Sequence, residues 1–197
     1  MPKGIPLTDE ELTRRRHQIF NASVGLFLSK GFRETSMREI AEAAGMGKSS
    51  LYDYFRTKDE ILLWAIDDEL YDLNTAAHEI ASKPLPAVER LRLLMSNHLS
   101  NLLERRDFYL KLSFEVQRLA LQSQQRVQAG RHAYQDLIRR LIEEGIQEGA
   151  FRPVDSLLTA RTLITLLTPT VYTSRPSGSP QEMLDAAFDI ILRGIQA

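Results

Sequence analysis

Apolar residues recur at three- and four-residue steps along almost the whole chain, the period of one helix face. Leu12, Ile19, Ala22, Leu26 and Phe27 make the first such stripe, opened by the capping box Thr8-Asp9-Glu10-Glu11 and closed by Gly31. A shorter pattern follows, with Ser36 as cap, Glu39 three residues on, and Ile40 and Ala44 along one face. Gly45 then stands where the chain must reverse, a position that favours positive φ. Lys48 to Phe55 reads as the next helix, with Leu51 and Phe55 four apart on its apolar side. Thr57 and Glu60 open a long helix through Ile61, Leu62, Trp64, Ala65, Leu70 and Leu73 to about Ala81, broken by Lys83-Pro84-Leu85-Pro86.

Val88, Leu91, Met95, His98 and Leu102 give a further stripe, and Phe108, Leu112, Val116 and Leu119 another. Gln122-Ser123-Gln124-Gln125 reads as a polar interruption before the helix of Val127, Tyr134, Leu137, Ile138, Leu141 and Ile142. That helix should end near Gly145 to Gly149. From Asp155 the segment LLTARTLITLLTPTVY is apolar on more than one face, which predicts burial on more than one side. Pro169 must kink or end it. Ser179 as cap, Pro180 at the first helical position and Glu182 restart a last helix with Met183, Leu184, Ala187, Phe188, Ile191 and Leu192. There is no internal repeat and no alternating strand pattern. The expected fold is all-α, about nine helices.

Composition narrows the function more than the fold. The 197 residues carry a net charge of −1 and a pI of about 6.4, unlike a general polyanion binder. Any nucleic-acid binding must therefore rest on a local basic face. The absence of cysteine excludes disulfides, thiol nucleophiles and Cys-based zinc sites. No apolar run is long enough for a bilayer and no signal-peptide core opens the chain, so a cytoplasmic protein without a membrane partner is expected. Met1 to Leu7, with two prolines and a glycine, predicts a mobile start.

Thr35 to Lys58 concentrates the candidate chemistry. Two short helices joined by a glycine turn, the second polar on its outer side, have the anatomy of a helix-turn-helix that enters a DNA major groove. Lys48, Ser49 and Ser50 stand at the entry of the second helix, where side chains meet base edges or phosphate. Tyr52 and Tyr54 offer hydroxyls to phosphates, and Arg38 and Lys58 offer point charges. Each residue alone would be an ordinary surface side chain; their grouping on this motif carries the expectation. Asp53 is repelled by phosphates and either accepts from a cytosine amino group or faces solvent. Gly47-Lys48-Ser49 also ends like a phosphate-binding loop, but Glu42 occupies the required first glycine and a helix precedes it.

These residues resemble the TetR family of bacterial transcriptional regulators. The resemblance is close from Ile19 to Trp64: IFNASVGLFLSKGF, then TSMREIAEAAG, then GKSSLYDYF followed by TKDEIL. Further on, EGAFRPVDSLL is similar to the family's passage between two late helices. Gly47 departs from the Ser or Thr often found at that helix start, and Pro169 stands where many members have a small residue. The resemblance implies a DNA-binding domain over residues 1–57 and a helical ligand-binding and dimerisation domain over 58–197. It implies a homodimer bound to a double-stranded palindromic operator and released by a small-molecule effector. The excess of apolar surface on the last helices suggests an isologous four-helix interface on its own.

Within the second domain Trp64, His98, Tyr109, Phe114, Arg118 and Tyr134 could line a cavity. A lone histidine on an apolar stripe is more often a core residue than a ligand or metal group, and Trp64 and Tyr134 are more often core as well. No histidine spacing predicts a metal, and no cofactor is expected. The rival reading is a helical carrier or enzyme working in that cavity, but no convergent acid, base or nucleophile stands out. A repressor is the leading expectation; an activator would use the same head, the difference lying in where the operator stands relative to a promoter.

Overall fold

The computed structural model describes residues 8–107, 109 and 115–195. Phe108, Leu112 and Phe114, together with Met1 to Leu7, lie outside the described residues. Nine α-helices lie wholly within the described residues, Arg106, Asp107 and Tyr109 are helical besides, and no strand is found among the described residues. They are α1 Asp9–Lys30, α2 Met37–Ala43, α3 Lys48–Tyr52, α4 Lys58–Ala81, α5 Ala87–Glu104, α6 Leu121–Gln147, α7 Ser156–Thr165, α8 Leu167–Tyr172 and α9 Pro180–Ile195. A single 3-10 turn, Glu115–Arg118, precedes α6. The chain divides into two compact units, one up to Asp68 with Asp107–Gln124, the other Glu69–Arg106 with Gln125 onward.

In the first unit, local capping sets the helix starts. The Thr8 side chain accepts from the Glu11 amide, and Ser36 does the same for Glu39. Both acidic residues reach back to the cap amide, so two otherwise unpaired donors are satisfied at each start. At α4, Thr57 caps the Glu60 amide, but the Glu60 carboxylate takes the Arg56 amide rather than that of Thr57. Gly31 and Gly45 hold φ of 105° and 66°, the left-handed values that stop α1 and turn α2 into α3. Ile19, Phe27, Ile40, Leu51, Phe55, Ile61 and Leu62 are all buried.

Helix α3 is shorter than the Lys48–Phe55 expected from its pattern. The amides of Asp53 and Tyr54 bond three residues back, to Ser50 and Leu51, which tightens the end into a turn after Tyr52. The Phe55 amide still closes onto the Leu51 carbonyl, and both side chains are buried.

The second unit is built on one apolar cluster that includes Leu91, Leu94, Met95, Leu99, Leu137, Ile138, Leu141, Phe151, Leu163, Leu184 and Phe188. Arg90 closes one end: its guanidinium donates to the Ala81 carbonyl at 2.9 Å and pairs with Glu144 at 2.7 Å. Arg152 ties the segment after α6 to the end of α9, through bonds from its amide to Ile195 O and from Nε to Gly194 O. The apolar segment after Asp155 is split at Leu166 into α7 and α8. Pro169 has no amide for the Thr165 carbonyl, and its ring crowds that oxygen, so α7 ends there.

One expected break is absent. Gln122 to Gln125 lie inside the first turns of α6, which begins at Leu121. Glutamine is a good helix former, so a polar run alone does not end a helix. The stripe expected from Phe108 to Leu119 is also corrected at its end, where Glu115–Arg118 forms a 3-10 turn with Val116 and Leu119 buried.

Candidate nucleic-acid interface and helical pocket

The outward face of α3 exposes Lys48, Ser49, Ser50 and Tyr52, while Leu51 behind them is fully buried. Gly47 caps this helix without a side-chain acceptor. The Lys48 ammonium lies 5.8 Å from the centre of the Tyr52 ring, a cation–π distance that groups the two residues. Tyr54, just past the helix, is half-buried. Arg38 is exposed on α2 and pairs with Glu42 one turn on at 2.9 Å, a solvent-screened contact. Lys30 at the end of α1 pairs with Glu39, which also caps α2. Hydrogen bonding to Lys30 first, then to the Ser36 amide and hydroxyl, lowers the Glu39 carboxyl to about 2.

Lys58 is placed differently from the other expected contact residues. Its ammonium donates to the carbonyls of Phe32 and Arg33, at 2.6 and 2.9 Å, and stands 5.1 Å from the Phe32 ring. It therefore locks the loop between α1 and α2 onto the start of α4. Two of its three donors are spent on that lock.

The residues expected to line a ligand site fall into separate places. Trp64 packs within the first unit, its ring 4.9 Å from His17, 5.9 Å from Phe55 and 6.4 Å from Phe20. Arg118 is exposed and paired with Glu115 in the 3-10 turn. Tyr109 is half-buried in the same unit. His98 and Tyr134 do come together, in the second unit, with rings edge-on at 4.9 Å. Burial lowers the His98 imidazole to about 4 and raises the Tyr134 phenol, so both are neutral at pH 7. His98 Nδ1 and the Tyr134 hydroxyl are shut off from solvent without a hydrogen-bond partner.

A third residue in this unit, Asn74, was not singled out by the sequence. Its amide group donates to the carbonyls of Leu70 and Gly130, at 2.7 and 3.2 Å, leaving its oxygen buried without a partner. The only available signal was an asparagine in the apolar stripe of α4, one turn after Leu70. Gly130 makes the contact possible, because a Cβ there would come within 2.9 Å of the Leu70 side chain.

On α7 and α9, Leu158 and Ile190 are 61% and 72% exposed. A groove of about 470 Å³ is lined by residues of both helices that include Leu158, Thr162, Ile191 and Ile195. No described helix is long and apolar enough to cross a membrane.

Known proteins match both parts of the chain. Residues 19–64 match the family described as bacterial regulatory proteins of the tetR family, and residues 84–195 match the tetracyclin repressor-like C-terminal domain. The chain is 27% identical over 189 residues to the HTH-type transcriptional repressor KstR2 of Mycobacterium tuberculosis, covering 94% of each chain. It is 24% identical over 147 residues to the fatty acid metabolism regulator protein of Bacillus subtilis, covering 75% of this chain and 76% of that one. Among solved structures, the regulator PfmR from Thermus thermophilus is similar at 29% identity and a TM-score of 0.76, over 91% of this chain and 99% of the other.

Proposed function

We propose that this chain, which belongs to the TetR family of bacterial transcriptional regulators, is a cytoplasmic repressor released from a palindromic operator when a small molecule binds its second domain. Membership makes it a ligand-responsive, DNA-binding regulator that acts as a dimer on double-stranded DNA. The repressor reading draws on the likeness to KstR2, and no enzymatic role is assigned.

The carrying observation is the two-sidedness of α3, with Leu51 fully buried and Lys48, Ser49, Ser50 and Tyr52 exposed on the other side. In this reading Lys48, Ser49 and Ser50 meet base edges, and Tyr52, Tyr54 and Arg38 meet phosphates. Lys58 supports the reading face through the Phe32 and Arg33 carbonyls and keeps one donor for phosphate. Residues 1–57 are assigned to DNA binding and 58–197 to ligand binding and dimerisation. The exposed Leu158, which lines the groove on α7 and α9, and the exposed Ile190 of α9 support a four-helix contact between two copies. A mobility-shift assay with DNA flanking the protein's own gene tests the reading. A salt-sensitive, sequence-selective shift is expected, and equal binding to unrelated DNA sinks it.

A further inference from the structure

We propose that Asn74, His98 and Tyr134 form a cluster that holds one uncharged oxygen group, a carbonyl or hydroxyl, of an otherwise apolar small molecule. The inference rests on the ligand-responsive reading above and assigns the chemistry of its effector site. Three helices of the second unit carry the cluster: Asn74 on α4, His98 on α5 and Tyr134 on α6. Asn74 touches α6 at the Gly130 carbonyl, one helical turn before Tyr134 on the same face. Tyr134 in turn meets the His98 ring edge-on. Each of the three residues has one buried polar atom with no partner.

Buried polar atoms are ordinarily paired, because an unmade bond costs the full desolvation of the group. Three such atoms, on residues linked by the Gly130 contact and the His98–Tyr134 ring pair, mark a place where a polar group from elsewhere completes the bonding. Their chemistry selects that group. Both donors to Asn74's neighbours come from its amide nitrogen, which fixes its oxygen as the free acceptor. Tyr134 offers a phenolic donor, and neutral His98 can donate or accept at Nδ1. A hydroxyl or carbonyl oxygen can use such a set. A carboxylate would face the Asn74 oxygen, and none of the three residues brings a positive charge to offset it. The surrounding Leu73, Leu137 and Ile138 supply an apolar wall for the rest of the molecule.

The test uses the full-length protein, with cyclohexanone as the probe and cyclohexanecarboxylate and cyclohexylammonium as charged counterparts. Side-chain NMR signals of Asn74 and His98 report binding. Cyclohexanone should shift them saturably, with the two charged compounds at least tenfold weaker. Tyr134→Phe should weaken cyclohexanone about fivefold, as expected for one lost hydrogen bond. Tyr71→Phe, at an exposed tyrosine of α4, should leave it unchanged. No saturable shift, or equal binding of the carboxylate, overturns the proposal. A trapped water that satisfies the three atoms and resists displacement gives that same null result. Selective DNA binding without any cyclohexanone shift defeats this site alone. A cyclohexanone shift in a protein without selective DNA binding supports the site and defeats the repressor reading.

Discussion

The Lys58 ammonium donates to the Phe32 carbonyl at 2.6 Å while its charge rests 5.1 Å from the centre of the Phe32 ring. One side chain thus fixes the loop after α1 to the first turn of α4. Lys58→Ala removes both carbonyl contacts of a charged donor and should cost about 1.5–3 kcal/mol. Urea unfolding at fixed protein concentration measures it. Amide hydrogen exchange should rise at Phe32 to Thr35 in the same variant, and unchanged exchange there would remove the locking role.

Gly145 and Gly25 make opposite predictions for the same substitution. A Cβ at Gly145 would stand 2.3 Å from the ring of Phe151, which is buried. Gly145→Ala should therefore destabilise by about 1–3 kcal/mol through overpacking, despite alanine's better helix propensity. At Gly25 on α1 nothing lies within 4 Å, so Gly25→Ala should stabilise by up to about 1 kcal/mol. Urea midpoints of the two variants should move in opposite directions.

His98 predicts an acid-sensitive second unit. Its folded value, about 4, lies below its ordinary 6.5, so the folded state resists the proton that the unfolded chain accepts. The associated stability is complete above 6.5 and is lost as pH falls from there to about 4. The loss should be on the order of 3 kcal/mol, and His98→Phe should flatten that part of the profile. Urea midpoints at steps between pH 7 and pH 4 provide the comparison. Parallel curves for the two proteins would contradict it.

Glu39 works in a lower window. Its carboxyl is held at about 2 by hydrogen bonds from Lys30 and Ser36, so its contribution is present above 4.5 and lost as pH falls through 2. Ser36→Ala should remove the cap of α2, costing about 1 kcal/mol, and should raise the Glu39 value toward 4.5. An NMR titration of the Glu39 carboxyl carbon reads the second effect separately from the first.

These residues also show where sequence reading reaches and where it stops. The caps at Thr8, Ser36 and Ser179 were legible because donor and acceptor lie three residues apart and need no tertiary fold. The positive φ at Gly45 was legible for the same reason. Lys58 was read as a free charge, since its partners lie 25 and 26 residues away. The pairing of His98 with Tyr134, on different helices, and the part played by Asn74 depend on which faces the helices present to each other. Periodicity gives a residue's face but not its neighbour across it. The run Gln122–Gln125 misled because polarity was taken as a stop signal, when α6 needed only one buried face, starting at Val127.

The central claim, that the exposed face of α3 reads an operator, is tested most directly by selecting bound duplexes from a random pool with the wild-type protein and with Lys48→Ala. The wild type should enrich a palindrome with half-sites about one helical turn apart, roughly 34–36 Å, in a salt-sensitive manner. Lys48→Ala should enrich a pool relaxed or altered at fixed positions within each half-site. The same sequence preference from both proteins would remove Lys48 from base reading. An unenriched wild-type pool would contradict the account as a whole.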